Sequence, residues 1–123
     1  MTTILCIEDD LSLQALLQYG LGRVGLAVLA AHTGQEALRL LRSRPIDLVL
    51  LDVKLPDMSG VAVLSRLRAG SQVPVILLTG SAEHLDVNAI AAHGIAGHIT
   101  KPFSTELLLQ RISAVLNISL HSD

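Results

Sequence analysis

Five short apolar runs alternate with five stretches whose apolar residues recur at helical spacing, and this alternation narrows the possible folds more than any other feature. The runs are Thr3–Ile7, Leu26–Ala31, Asp47–Asp52, Pro74–Thr79 and Ile95–Thr100. Short apolar runs bounded by turn residues predict strands buried on both faces. Leu13, Leu16, Leu17, Leu21 and Val24 predict a first helix over about 11–23, ended by Gly25. Thr33 followed three positions later by Glu36 is a capping-box pattern; the second helix runs to about Ser43, with Ala37, Leu40 and Leu41 inward. A third helix starts near Gly60, turns Val61, Leu64 and Leu67 inward and stops at Gly70. The fourth, roughly 82–92, has only a thin apolar face of Leu85, Ala89 and Ala92. Ser104 caps the fifth, whose stripe is Leu108, Ile112, Val115 and Leu116. Strand–helix repetition of this kind predicts an α/β, doubly wound parallel sheet with helices on both faces, here as one domain over residues 1–123.

Aromatic residues make up only 2% of the chain, so its core must be built from Leu, Ile, Val and Ala. None of the apolar runs approaches the ~18 residues needed to span a bilayer. Glu8-Asp9-Asp10 interrupts the N-terminal run, and no basic region precedes it, which argues against a signal peptide and for a cytoplasmic protein. The single cysteine, Cys6, lies inside an apolar run; it reads as a core residue in a reducing compartment. The net charge of −2, with no basic stripe, argues against direct binding of nucleic acid or membrane. The five histidines form no metal-binding pattern.

The chemistry-bearing residues gather at the carboxyl ends of the predicted strands, where parallel α/β sheets form their ligand sites. Strand one offers Glu8, Asp9 and Asp10, strand three Asp52, strand four Thr79 and strand five Lys101. In strand order 2-1-3-4-5, Asp9, Asp10 and Asp52 converge, with Thr79 and Lys101 closing the other side. Three carboxylates so close repel one another unless neutralised. A hard cation with oxygen ligands resolves the repulsion, and Mg2+ suits it. A cation, an ammonium and a hydroxyl around one carboxylate are the parts needed to place a phosphoryl group on that carboxylate. Taken singly, each residue also has a plainer reading: Asp52 as a turn starter, the acidic triplet as a helix N-terminus, Lys101 as a surface lysine.

Glu8-Asp9-Asp10, Asp52 with Leu55-Pro56-Asp57-Met58-Ser59-Gly60, Thr79, and Lys101-Pro102-Phe103 together resemble the receiver domains of two-component response regulators. Each motif alone is weak; all four in this order and spacing are specific, and they extend over essentially the whole chain. The resemblance implies a flavodoxin-like fold and phosphorylation of Asp52 by a sensor histidine kinase or phosphotransfer protein. It implies Mg2+ held by the side chains of Asp10 and Asp52, by the Lys54 backbone carbonyl, and by Asp9 through water. Lys101 would contact the phosphoryl group, Thr79 would bond to it in the active state, and the bond before Pro102 would be cis. Such a domain is a phosphoacceptor rather than an enzyme, and its output runs through the face around helix four, strand five and helix five to an output domain or effector protein. Lys54 and Ser81 would flank the path of the hydrolytic water and slow dephosphorylation. His98 stands three positions before Lys101, where the family often carries Tyr or Phe, and would take the place of the aromatic switch residue. Three rival readings are a docking module without phosphorylation, a Mg2+-dependent phosphatase and a flavin-binding protein. The intact acid set argues against the first, the lack of a dedicated acid–base residue against the second, and the acids after strand one against the third.

Overall fold

Strand propensity and burial coincide at the centre of the sheet: every residue of β3 (Leu48–Asp52) and β4 (Val75–Thr79) is buried. The computed structural model describes residues 1–80 and 87–120. Around the two central strands it places β1 (Thr3–Ile7), β2 (Ala27–Ala31) and β5 (Gly97–Thr100). The helices are α1 (Leu11–Gly22), α2 (Gly34–Ser43), α3 (Gly60–Arg68), α4 (Val87–His93) and α5 (Thr105–Leu116). All strand pairings are parallel, in the order β2-β1-β3-β4-β5, as expected for the flavodoxin-like arrangement.

Successive strand side chains point to opposite faces of a sheet, so each apolar run feeds two cores. Ile4, Cys6, Leu48, Leu50, Ile76 and Leu78 pack with Leu17 and Leu21 of α1 and Leu108 and Ile112 of α5. Leu5, Ile7, Val49, Leu51, Val75 and Leu77 pack with Ala37, Val63, Leu64 and Leu67 of α2 and α3, and with Ile90 of α4. Side-chain oxygens of Asp10, Thr33, Ser59 and Ser104 accept backbone N–H groups at the starts of α1, α2, α3 and α5. These caps stop each helix from leaving its first amides without partners.

The structure departs from the sequence expectations at particular side chains. Leu16 is not inward: it is 52% exposed, and Gln14 takes the inward position. Ala92 is exposed, Ile90 of α4 is buried, and the side chain of Ala89 is outside what the structure describes. Leu26 precedes β2 and is buried beneath α1, its N–H donating to the Leu21 carbonyl at 3.2 Å. β5 begins at Gly97, two residues later than expected. Ser81, Leu85, His84 and the expected start of the fourth helix lie outside the described residues. Among the described residues no helix is long and apolar enough to cross a membrane.

Candidate functional site

Parallel strands end at the same edge, so their last residues meet there. Pairing sets Ile7 opposite Leu51, and one residue further on Glu8 stands beside Asp52. Asp52 pairs with Leu78, Thr79 pairs with Thr100, and Lys101 follows, its N–H donating to the Thr79 carbonyl at 2.7 Å. Glu8, Asp52 and Thr79 are buried, while Asp9 is exposed. The Lys101 ammonium bridges the acids, 2.9 Å from Glu8 Oε2 and 3.3 Å from Asp52 Oδ2. The Lys54 N–H donates to the other oxygen, Asp52 Oδ1, at 3.2 Å.

The acidic partners differ from those expected. Glu8, Asp9 and Asp52 each present a carboxylate oxygen, all within 4.8 Å of one another. Asp10 belongs to helix capping: its Oδ1 accepts from Ser12 N–H at 2.9 Å and Leu13 N–H at 3.1 Å. The convergence expected of Asp9, Asp10 and Asp52 is therefore made by Glu8, Asp9 and Asp52. The reason is where β1 ends: the β1–β3 register sets Glu8 level with Asp52, whereas Asp10 already lies at the start of α1 and its carboxylate is taken up by the cap.

Burial pushes the Glu8 carboxyl above its ordinary range; the hydrogen bond from Lys101 opposes that rise and the charge of Asp52 adds to it. For Lys101, burial alone would favour the neutral amine, but the hydrogen bond to Glu8 and the charges of Asp52 and Glu8 prevail, and its affinity for the proton rises. Three carboxylates and one ammonium leave an excess of negative charge. The donors are all hard oxygens, with Asp9 open to solvent, and this set fits Mg2+.

Two further residues shape the site. Gln14 lies on the same face of α1 as Leu17 and Leu21, a polar residue in an apolar stripe, and this was the available sequence signal. Its Nε2 lies within hydrogen-bond distance of the carbonyls of Cys6 at 2.8 Å, Ala31 at 3.0 Å and Glu8 at 3.1 Å, which ties α1 to the ends of β1 and β2. Asp57, in the loop after β3, accepts the Gly34 N–H at 2.8 Å and the Gln35 N–H at 3.0 Å. Those amides hold its carboxyl below the ordinary range. Nothing in the local pattern around Asp57 foretells contact with α2.

Gly60 closes the loop against the site. A Cβ there would lie 2.7 Å from the Asp52 carbonyl oxygen and 2.7 Å from Val53 Cα, so only glycine fits this approach. The Lys101–Pro102 bond is cis. His98 pairs with Leu77 on β5 and is exposed. Cys6 is fully buried, and burial with the nearby Glu8 charge pushes its thiol up to about 12, which makes it a poor nucleophile.

The family model for the response regulator receiver domain matches residues 4–113. Among curated relatives, the chain is 40% identical over 123 residues to the transcriptional regulatory protein CpxR of Klebsiella pneumoniae, covering 100% of this chain and 53% of that protein. It is 39% identical over 116 residues to the transcriptional regulatory protein AfsQ1 of Streptomyces coelicolor, covering 94% of this chain and 52% of the relative. The chain thus spans about half the length of these relatives. A CheY-like receiver domain from Methanospirillum hungatei superposes with a TM-score of 0.91 at 28% identity, covering 95% of this chain and 94% of the other. TrrA of Thermotoga maritima, solved in complex with Mg2+-BeF, superposes with a TM-score of 0.86 at 28% identity, covering 94% of this chain and 100% of the other.

Proposed function

The chain belongs to the response regulator receiver domain family, and on that premise we propose that Asp52 is its phosphoacceptor, with residues 1–123 acting as one receiver unit. The observation that carries this reading is the Lys101 ammonium set between Glu8 and Asp52 beside the open carboxylate of Asp9. An Asp52 oxygen attacks the phosphorus of a phosphohistidine on a sensor histidine kinase or phosphotransfer protein. An O–P bond forms, the P–N bond breaks, and the imidazole leaves with the electron pair. Lys101 shifts its hydrogen bonding from Asp52 toward the phosphoryl oxygens while Glu8 keeps it in place. Catalysis of this kind is mostly positioning and charge stabilisation. Glu8, Asp9 and Asp52, with the Lys54 carbonyl, would hold Mg2+, and the ion would supply positive charge to the phosphoryl oxygens. The solved TrrA complex with Mg2+-BeF supports that assignment by analogy.

Thr79, at the end of β4, then bonds to the phosphoryl group, and the face of α4, β5 and α5 changes with it. His98, exposed on β5, turns toward Thr79 as part of that change. An output domain or effector protein reads the altered face. The domain accepts a phosphoryl group and loses it slowly instead of turning over a substrate, and the cytoplasm is where a kinase donor would meet it. For the donor, α1 offers an apolar surface next to the acidic segment: Leu11 is 72%, Tyr19 65% and Leu16 52% exposed.

Incubation with Mg2+ and acetyl phosphate, followed by intact mass, tests the acceptor. The wild type gains one phosphoryl group and Asp52→Asn gains none; equal labelling of the two refutes the assignment. Tyr19→Asp tests the donor surface: labelling by acetyl phosphate persists, while transfer from a histidine kinase slows.

A further inference from the structure

Away from the phosphoacceptor site, α2 and α3 enclose an open groove of about 1110 Å3. Leu38, Leu41 and Leu67 line it, and Arg39, Arg42 and Arg66 stand along it. The three arginines are exposed, and among the described residues none is paired with a carboxylate. Among the described residues the side-chain contact of Arg66 is a long one, 4.0 Å from its Nη1 to the Met58 sulfur. Arg68, two residues further on, shows what a structural arginine looks like in this fold. Its guanidinium donates to the carbonyls of Val73 at 2.7 Å, His93 at 2.8 Å, and Ser71 and Gly94 at 3.2 Å. Among the described residues the groove arginines make no such set of hydrogen bonds. The one acid there, Glu36, is engaged at α2's start, accepting from the His32 N–H at 3.1 Å with the His32 ring at 3.7 Å.

Three of the chain's nine basic residues border this groove although the whole chain is net negative, so the groove is a local cationic site. We propose that it docks an acidic amphipathic helix of a partner protein. Aliphatic side chains of the partner would meet Leu38 and Leu41, which are partly exposed above buried Leu67, and its carboxylates would meet the arginines, for which bidentate pairing is available. The ten residues of α2 span about 15 Å, which matches a partner helix of roughly three turns with anchors at i, i+3 or i+4, and i+7. A peptide fits better than a nucleic acid. No aromatic residue lines the groove to stack on bases, and its leucines offer a floor that the aliphatic face of a helix can cover and a sugar–phosphate backbone cannot. The Asp57 carboxylate fixes the N-terminus of α2, so the groove is held in shape before any partner arrives. This assignment is independent of the chemistry at Asp52.

The test is an NMR titration of the whole chain with a synthetic helical peptide of about three turns, leucines on one face and glutamates flanking them. The peptide should shift the amide signals of α2 and of residues 66–70. Binding should weaken with added salt and fall about tenfold or more in the double variant Arg39→Glu/Arg66→Glu. Arg39→Lys/Arg66→Lys should retain most of it. A peptide with lysines in place of the glutamates should leave these signals unmoved. Labelling of Asp52 by acetyl phosphate should be unchanged in the Glu variant, which shows that it folds. Absence of shifts at millimolar peptide, shifts confined to another face, or equal affinity in the Glu variant overturns the proposal. Tighter binding of a single-stranded oligonucleotide to the same residues also overturns it and assigns the groove to nucleic acid.

Discussion

One substitution made at two glycines should change stability in opposite directions. Gly22 ends α1, and a Cβ built there meets nothing within 4 Å. Alanine removes backbone freedom from the unfolded chain, so Gly22→Ala should stabilise by about 0.4–1 kcal/mol. Gly60 begins α3, where the same gain is available in principle. There a Cβ would sit 2.7 Å from the Asp52 carbonyl oxygen and Val53 Cα, against an ordinary contact of 3.4–4 Å. The Asp52–Val53 peptide must therefore retreat by about 0.7 Å (3.4 − 2.7) or more, and backbone cannot rotate aside as a side-chain tip can. Overpacking of this kind costs about 1–3 kcal/mol, and the backbone obstruction puts it in the upper half. Less the entropic gain, Gly60→Ala should destabilise by about 1–2.5 kcal/mol. The shift also moves the Asp52 carboxylate, whose contacts at 3.2 Å to Lys54 N–H and 3.3 Å to Lys101 are already long. Labelling by acetyl phosphate should therefore slow in Gly60→Ala and stay unchanged in Gly22→Ala. Urea unfolding of both variants, with labelling rates measured in parallel, is the assay. If Gly60→Ala is as stabilising as Gly22→Ala and labels at the wild-type rate, the close approach at Asp52 is not a constraint and the reasoning fails.

Thr79→Ala should still accept phosphate but lose the chemical-shift response of the α4–β5–α5 face to beryllofluoride; a full response would refute the coupling. The Asp57 carboxyl is held low by the amides of Gly34 and Gln35, so its contribution to stability is complete above its ordinary value of 3.8 and is lost as pH falls through the lower folded value. The stability difference between wild type and Asp57→Ala should accordingly be level at neutral pH and shrink only in strong acid; a difference that vanishes between pH 7 and pH 5 would point to another group. Lys54 stands two positions beyond Asp52 and is exposed; if its long side chain obstructs incoming water, phospho-Asp52 should last many minutes. Lys54→Ala should shorten that lifetime, and a half-life of seconds in the wild type would contradict the idea.

Apolar run length and spacing are properties of neighbouring residues, so the sequence by itself determined the five strands, the five helices and their order. It also determined that Asp52, Thr79 and Lys101 leave strands at one edge of the sheet, because in a parallel sheet the end of each run sets that position. The acid that meets Asp52 was not a local property. The three successive acids look alike in sequence, and only the β1–β3 register separates buried Glu8 and open Asp9 from Asp10, which caps α1. The same holds for Gln14, whose amide reads as a polar lapse in the α1 stripe until the strand carbonyls of Cys6, Glu8 and Ala31 surround it. Arg66 and Arg68 sit two positions apart, and nothing short of the folded chain tells which donates to carbonyls and which faces a groove. The interactions that complete the site join residues far apart, Glu8 with Lys101 across 93 positions and Gly34 with Asp57 across 23. Their partners exist only once the sheet has set its register, since a hydrogen bond needs donor and acceptor within about 3 Å and local sequence does not control distances between remote segments.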